Sequence, residues 1–220
     1  MTGDVTVRAD LVYDSVKGGD SAKGRELHLD LYLPASRPAP VCLWLHGGGW
    51  VRGSRTARAE ERLVPVARAG VAVAAVQYRL SGEAAFPAQL DDARSAVRWL
   101  RRNGGGLGLR TDRIGVWGGS SGGHLAALLA LCPDERDGEL GDSSVQAAVC
   151  WFPITDLTLR DTDVPEGPPP PFLSGPPPSP SNEARLLGVG SVADANHEDP
   201  ALDAPPVLAA VSAFLRSHLG

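Results

Sequence analysis

The sequence predicts an α/β fold with a mostly parallel sheet and helices on both of its faces. Four uninterrupted apolar runs, at 41–45, 71–76, 114–117 and 145–151, are typical of strands that are buried on both sides. Helix-like stretches separate these runs, and alternation of strand and helix along a chain favours parallel neighbours in the sheet. The length of 220 residues suits a single domain spanning 1–220.

An antiparallel hairpin is predicted ahead of these strands. Residues 25–33 alternate between apolar and polar side chains, which is the pattern of a half-buried antiparallel strand. Residues 5–13 are its expected partner. In this alternation His28 lies between Leu27 and Leu29 and is expected to face solvent.

The clearest helix is predicted to begin at Pro87, since proline is well tolerated in a first helical turn. Asp91 and Asp92 would then lie near the positive end of the helix dipole. The buried face is expected to carry Leu90, Ala93, Val97 and Leu100, and the solvent face and helix end Arg98, Arg101 and Arg102.

Charge and composition limit the possible partners. The formal net charge is −5 and no Lys/Arg cluster forms a basic stripe, so nucleic acid is not expected as a partner. No apolar run approaches membrane-spanning length, and the first residues lack a cationic segment followed by an apolar one. No membrane partner and a cytoplasmic location are therefore expected. The three cysteines, Cys42, Cys132 and Cys150, are expected to be buried free thiols.

Two glycine-rich motifs, each directly after a strand-like run, carry the functional signal. His46-Gly47-Gly48-Gly49-Trp50 is typical of a loop whose backbone N–H groups bind an oxyanion. Gly118-Gly119-Ser120-Ser121-Gly122-Gly123 is typical of a nucleophile elbow, where small residues at −2 and +2 let a serine stand on a tight strand-to-helix turn. The pair predicts ester hydrolysis. The spacing alone fits both Ser120 and Ser121.

Other chemistries fit these motifs poorly. Gly47-Gly48-Gly49 lacks the G-x-G-x-x-G spacing of a dinucleotide site, and no P-loop lysine follows Gly122-Gly123. No cysteine and histidine have the spacing of zinc ligands. Neither a cofactor nor a metal ion is expected.

Residues 25 to 160 resemble α/β-hydrolase-fold esterases of the feruloyl esterase-like (BD-FAE-like) and hormone-sensitive-lipase-like branches. The resemblance is carried by the two glycine motifs and by the stretches Tyr78–Asp92 and Trp151–Leu157. It implies an α/β-hydrolase fold, a small carboxylic ester as substrate and Ser120 as the nucleophile. It further implies that Ser121 donates a backbone N–H to the oxyanion hole, beside those of Gly48 and Gly49.

The partners that would activate the serine are hard to find. In the family the acid and the histidine base follow strands after the one that ends near Trp151, whereas this chain has a proline-rich segment, 164–181, and then a helical pattern. The helical pattern consists of Val207, Leu208, Val211, Phe214 and Leu215. The sheet is therefore expected to be truncated at its C-terminal edge, through an internal deletion. Such an apolar edge predicts a homodimer or low solubility.

Among the remaining candidates for the base, His197 in a polar loop is favoured over the others, and Asp156 is the nearest acid. His46 is expected to pack in the oxyanion loop and His124 to project from the flank of the helix behind Ser120. The missing partners leave an alternative open, a catalytically inactive hydrolase-like domain that binds a ligand in the same pocket. The proline-rich segment is interpreted as a cap-like loop, or alternatively as a docking segment for a partner.

Overall fold

A single six-stranded sheet organises the described part of the chain. The computed structural model describes residues 4–16, 24–132, 134–155 and 205–219, so the proline-rich segment, Asp156 and His197 lie outside the described residues. The strands are β1 (Thr6–Val16), β2 (Arg25–Leu33), β3 (Ala39–Leu45), β4 (Ala72–Val76), β5 (Leu109–Gly119) and β6 (Ala147–Trp151), and their order in the sheet is β1-β2-β4-β3-β5-β6.

The pairing confirms the predicted mixture of one antiparallel hairpin and a parallel remainder. β1 and β2 form the hairpin, and β2 is also antiparallel to β4, whereas β4, β3, β5 and β6 run parallel. β2 is more deeply buried than its alternation predicted, because it is an interior strand with a neighbour on each side. Its polar Asp30 is buried and forms an ion pair with Arg55, Nε to Oδ1 3.0 Å.

The helices cover both faces of the sheet, as predicted. They are α1 (Val64–Arg68), α2 (Ala88–Asn103), α3 (Ser121–Leu131), α4 (Asp137–Leu140) and α5 (Pro205–Leu219), with a π-helical turn at Ala59–Leu63 and a 3₁₀ turn at Gly104–Leu107. Helices α2 and α3 pack on one face, through residues such as Val97 and Leu125, and α1 and α5 pack on the other, through Val66 and Leu215. This arrangement, together with the mostly parallel sheet, is that of an α/β-hydrolase fold.

Helix α5 confirms the second predicted helix but not every member of its apolar face. Leu208, Val211 and Leu215 are buried against the sheet. Phe214 is instead 39% exposed, and its ring stacks on His218 one turn later, with the ring centroids 4.3 Å apart. Phe214 therefore lies at the margin of the face of α5 that packs on the sheet.

Three tryptophans pack against one another across β3, β5 and β6, on the face of the sheet that α1 and α5 cover. Trp117 of β5 lies edge-on to Trp44 of β3, with centroids 4.5 Å apart, and to Trp151 of β6, with centroids 4.8 Å apart. The guanidinium of Arg62 lies 4.9 Å from the Trp44 ring centroid. Aromatic pairs of this geometry contribute about 0.5–1.5 kcal/mol beyond their buried area. The cluster therefore stabilises the strand ends that precede both glycine motifs.

β6 is the outermost strand on its side of the described sheet. Truncation of the sheet after this strand stays a prediction, since residues 156–204 lie outside the described residues. Association of two chains through that edge stays a prediction.

The structure corrects the placement of Arg98 and Cys132. Arg98 is 4% exposed, and its guanidinium donates to Asp134 and Asp137 at 2.7 Å each. It is buried because residues 134–141 fold over that flank of α2, so the prediction of a solvent-facing arginine was wrong. Cys132 is exposed at the end of α3, whereas Cys42 is buried and burial raises the pKa of its thiol to about 12.

We expect Arg98→Ala to destabilise the protein by about 3 kcal/mol, because the substitution leaves the buried Asp134 carboxylate without one of its cationic partners. Arg102→Ala is the matched control, since Arg102 is an exposed arginine on the same helix and should change stability by less than about 0.5 kcal/mol. Urea unfolding measures both. Equal midpoints for the two variants would contradict the structural role of the Arg98 cluster.

Candidate active site

Ser120 lies at the turn from β5 into α3 in a backbone conformation that serine rarely adopts. Its φ is 53° and its ψ is −121°. A non-glycine residue at positive φ of this kind costs on the order of 1–3 kcal/mol and persists only where the surroundings enforce it. Two hydrogen bonds hold the turn, one from the Ser120 N–H to the Trp151 carbonyl at 3.0 Å and one from the His124 N–H to the Ser120 carbonyl at 2.9 Å.

The glycines on either side distinguish the two serines that the spacing left open. A Cβ at Gly118 would overlap the Gly122 carbonyl oxygen, so the residues at −2 and +2 from Ser120 approach each other closely. Ser120 is half-buried at the turn, whereas the Ser121 side chain is fully buried. A hydroxyl that must meet a substrate needs access, and this favours Ser120 over Ser121 as the candidate nucleophile.

The two glycine motifs are in direct contact. A Cβ at Gly122 would overlap the Leu45 carbonyl oxygen and would lie 2.6 Å from the His46 carbonyl oxygen. Leu45 is the last residue of β3, and Gly118 is its partner in the parallel register with β5. The parallel pairing thus brings both loops to the carboxyl ends of neighbouring strands, where α/β sheets bind ligands.

Backbone contacts orient the N–H groups of Gly48 and Gly49. His46 Nδ1 lies 2.8 Å from the Gly47 carbonyl oxygen, and the Gly48 carbonyl accepts from the N–H groups of Val51 (3.3 Å) and Arg52 (3.2 Å). In a trans peptide the N–H points away from the preceding carbonyl. The N–H groups of Gly48 and Gly49 therefore point away from these contacts, and within the described residues neither donates to a carbonyl or side chain.

Glycine is favoured at position 48 for a conformational reason. Gly48 has a φ of 126°, a value that residues other than glycine rarely adopt. Gly49 has a φ of 60°. Preorganised N–H donors of this kind are the usual means of stabilising the oxyanion of an acyl-transfer intermediate. Gly48, Gly49 and the first residue of α3, Ser121, could together supply them.

The histidines nearest the turn are engaged elsewhere. His46 is buried, which lowers the pKa of its imidazole while its bond to Gly47 acts in the opposite direction. His124 lies on the flank of α3, as predicted, where Nδ1 donates to the Ile154 carbonyl at 2.6 Å and the ring meets Trp50 edge-on. In the described part of the chain no histidine is hydrogen-bonded to Ser120 Oγ.

The other two described histidines lie on peripheral elements. His28 is partly exposed on β2, where its Nε2 lies 3.6 Å from a Glu26 carboxylate oxygen. His218 is in the last turn of α5. Neither element carries a glycine motif. His197 lies outside the described residues.

Sequence reasoning missed the buried side chains that support the site from below. Tyr78, directly after β4, stacks on the His46 ring and donates its hydroxyl to the His46 carbonyl at 2.6 Å. Arg79 binds the buried carboxylate of Asp92 through both its backbone N–H and its guanidinium, so Asp92 acts as an ion-pair partner more than as a helix-dipole charge. All three residues lie within Tyr78–Asp92, a stretch that carries the family resemblance. That resemblance was the signal in the sequence that could have identified them.

Over the residues that the structure describes, no group of three or more His, Cys, Asp or Glu side chains could hold a metal ion. None of the described helices is long and apolar enough to cross a bilayer.

We expect Gly122→Ala to destabilise the protein by about 3 kcal/mol or more, because backbone carbonyls of the oxyanion loop would have to move. Gly106→Ala is the control: Gly106 is exposed, and its added Cβ would meet no atom within 4 Å. Thermal unfolding of both variants is the measurement. An unchanged melting temperature for Gly122→Ala would contradict the direct contact of the two motifs.

Backbone strain at Ser120 makes a second prediction. Ser120→Gly should be more stable than Ser120→Ala by about 1 kcal/mol, because both variants lose the hydroxyl but only glycine relieves the positive φ. At Ser144, an exposed position without a positive φ, glycine should instead be less stable than alanine. The same order of stabilities at both positions, from chemical denaturation, would rule out strain at Ser120.

The chain is similar to a known family and to named esterases. The BD-FAE family model matches residues 29–193. The esterase LipI of Mycobacterium tuberculosis is 31% identical over 141 residues, covering 64% of this chain and 43% of LipI. The ethyl acetate hydrolase of Pseudomonas putida is 34% identical over 145 residues, covering 64% of this chain and 45% of the relative. The chain thus spans less than half the length of these relatives.

Solved structures are similar to this chain as well. A bifunctional GH43-CE protein of Bacteroides eggerthii superposes with a TM-score of 0.64 at 29% identity, covering 84% of this chain and 26% of that protein. A truncated carbohydrate esterase from gut microbiota superposes with a TM-score of 0.62 at 27% identity, covering 85% and 66%. With the family model matching most of its length, this chain belongs to the BD-FAE family of α/β-hydrolase-fold proteins.

Proposed function

We propose that this protein is a carboxylesterase that cleaves small carboxylic esters through an acyl-enzyme on Ser120. The observation that carries the proposal is the contact between the Ser120 turn and the glycine loop, made where Gly122 packs on the Leu45 carbonyl. The names of the relatives support the reaction class, since they include esterases, a carboxylesterase and an ethyl acetate hydrolase.

The reaction follows from the positions of these groups. Ser120 Oγ attacks the ester carbonyl carbon, and its proton passes to a base as the new C–O bond forms. The carbonyl oxygen becomes an oxyanion, held by the N–H groups of Gly48, Gly49 and Ser121. As this intermediate collapses, the protonated base gives its proton to the leaving oxygen and the alcohol departs. Water, deprotonated by the same base, then attacks the acyl-enzyme, and the proton returns to Ser120 Oγ as the acid is released.

The base is the part of this proposal that the described residues do not supply. His46 and His124 already bond to backbone carbonyls through Nδ1. His28 and His218 lie on peripheral elements, which leaves His197 among the five histidines of the chain. Asp156, one residue after the described loop that follows β6, is the nearest carboxylate in the sequence. His197 is the candidate base that the sequence favours, and Asp156 is its candidate acid.

The alternative is a hydrolase-like domain that binds a ligand without cleaving it. It is favoured by the lack of a hydrogen bond between Ser120 Oγ and any histidine in the described residues. Removing a triad member typically leaves only the roughly 10³–10⁴-fold acceleration that oxyanion donors and binding provide. Reactivity of the serine separates the two functions.

A fluorophosphonate probe should label the wild-type protein stoichiometrically, because only an activated serine attacks it at a useful rate. Ser120→Ala should remain unlabelled. Ser121→Ala keeps its backbone N–H and should be labelled, as should Ser144→Ala, which removes an exposed serine hydroxyl. Intact-mass spectrometry counts the adducts.

His197→Ala extends the same experiment to the base, and its labelling rate should fall by at least about 10³-fold. Wild-type protein that is folded by circular dichroism yet remains unlabelled would overturn the esterase proposal in favour of the binding domain. Labelling that persists in Ser120→Ala would overturn the assignment of the nucleophile.

A further inference from the structure

Tyr78 touches both halves of the candidate site from beneath. Its side chain is 1% exposed, and its hydroxyl donates to the His46 carbonyl at 2.6 Å. Its ring lies parallel to the His46 imidazole, at 4.3 Å between centroids and 17° between planes. The phenol therefore fixes both the backbone and the side chain of the residue that opens the glycine loop.

The same hydroxyl faces the elbow. Ser121, the first residue of α3, is fully buried, and its Oγ has no well-formed hydrogen bond among the described residues. Burial raises the pKa of the Tyr78 hydroxyl well above its ordinary value, and the nearby Ser121 hydroxyl acts in the opposite direction. Tyr78 thus lies next to the first residue of α3 as well as to the residue that opens the glycine loop.

The His46 carbonyl oxygen, which accepts from the Tyr78 hydroxyl, also contacts the nucleophile elbow. A Cβ at Gly122 would lie 2.6 Å from the His46 carbonyl oxygen, so this oxygen contacts the elbow on one side and the Tyr78 hydroxyl on another. The His46 imidazole in turn holds the Gly47 carbonyl through Nδ1, 2.8 Å away. Since each trans peptide sets its N–H opposite its carbonyl, these anchors determine where the Gly47 and Gly48 N–H groups point.

We propose that Tyr78 is a positioning residue of the oxyanion hole. Its hydroxyl contacts the His46 carbonyl and lies 3.3 Å from His46 Nδ1, which keeps the imidazole on the Gly47 carbonyl and the Gly48 N–H directed at the carbonyl attacked by Ser120. The inference rests on the proposed esterase function. Tyr78 touches no reacting atom, so it acts through His46. Loss of its hydroxyl should weaken binding of the transition state more than binding of the ester.

Tyr78→Phe tests this, because it keeps the ring and its stacking but removes the O–H. With p-nitrophenyl acetate as substrate we expect kcat to fall about tenfold, the scale of one hydrogen bond, and KM to stay within about twofold. The rate constant for fluorophosphonate labelling should fall by a similar factor. Tyr13→Phe is the matched control, since Tyr13 is a buried tyrosine whose hydroxyl donates to the Gln77 carbonyl at 2.5 Å.

Tyr13→Phe should lose similar stability yet keep kcat within about twofold of the wild type. Equal losses of kcat in the two variants, or a Tyr78→Phe effect confined to KM, would overturn the proposal. A rescue experiment tests the same role even if the Tyr78→Phe protein does not fold. 4-Aminophenylalanine at position 78 keeps a donor in place and should retain most of the wild-type kcat, and a tenfold loss there would count against the proposal.

A separate readout distinguishes failure of this inference from failure of the esterase proposal. If the wild type neither hydrolyses p-nitrophenyl acetate nor reacts with the fluorophosphonate, the esterase proposal fails, and the ¹H–¹⁵N amide resonances of Gly47, Gly48 and Gly49 decide the role of Tyr78. Tyr78→Phe should shift these resonances and Tyr13→Phe should leave them in place. Unchanged glycine resonances in Tyr78→Phe would refute the positioning role.

Discussion

The close approach of α3 to the end of β3 is the constraint on which the site depends. Gly122 packs so tightly on the Leu45 and His46 carbonyls that no side chain fits between them. This contact is possible because β3 and β5 pair in parallel, with Leu45 opposite Gly118. A nucleophile turn and an oxyanion loop are separated by about seventy residues of sequence, and the register of two strands brings them together.

The strained turn lies close to buried aromatic side chains. Ser120 and Trp50 both adopt positive φ values, and each is next to residues with little freedom to relax. Trp50 and Tyr78 are completely or almost completely buried, and the three-tryptophan cluster lies under the strand ends. A packed core can hold a backbone in an unfavourable conformation because relaxation would open a cavity, which costs more than the strain.

The fold was largely predictable, since its central strands are solid apolar runs and the helix after Pro87 has a regular apolar face. Errors arose where local pattern and tertiary burial diverged. Arg98 follows the periodicity of a surface position but is covered by residues 134–141, and Cys132 ends an apolar helix yet is exposed. The burial of Arg98 and the exposure of Cys132 cannot be predicted from neighbouring residues in the sequence. Each depends on whether a distant segment packs over that position.

The sequence by itself determined the α/β-hydrolase fold, the family and the two glycine motifs, because periodicity and glycine spacing are local properties of the chain. Only the tertiary structure showed that Ser121 is fully buried while Ser120 stands at a half-buried turn with positive φ. It alone related Tyr78 to His46 and set the direction of the Gly48 and Gly49 N–H groups. Those features depend on contacts between segments far apart in sequence, and such contacts exist only once the sheet has formed.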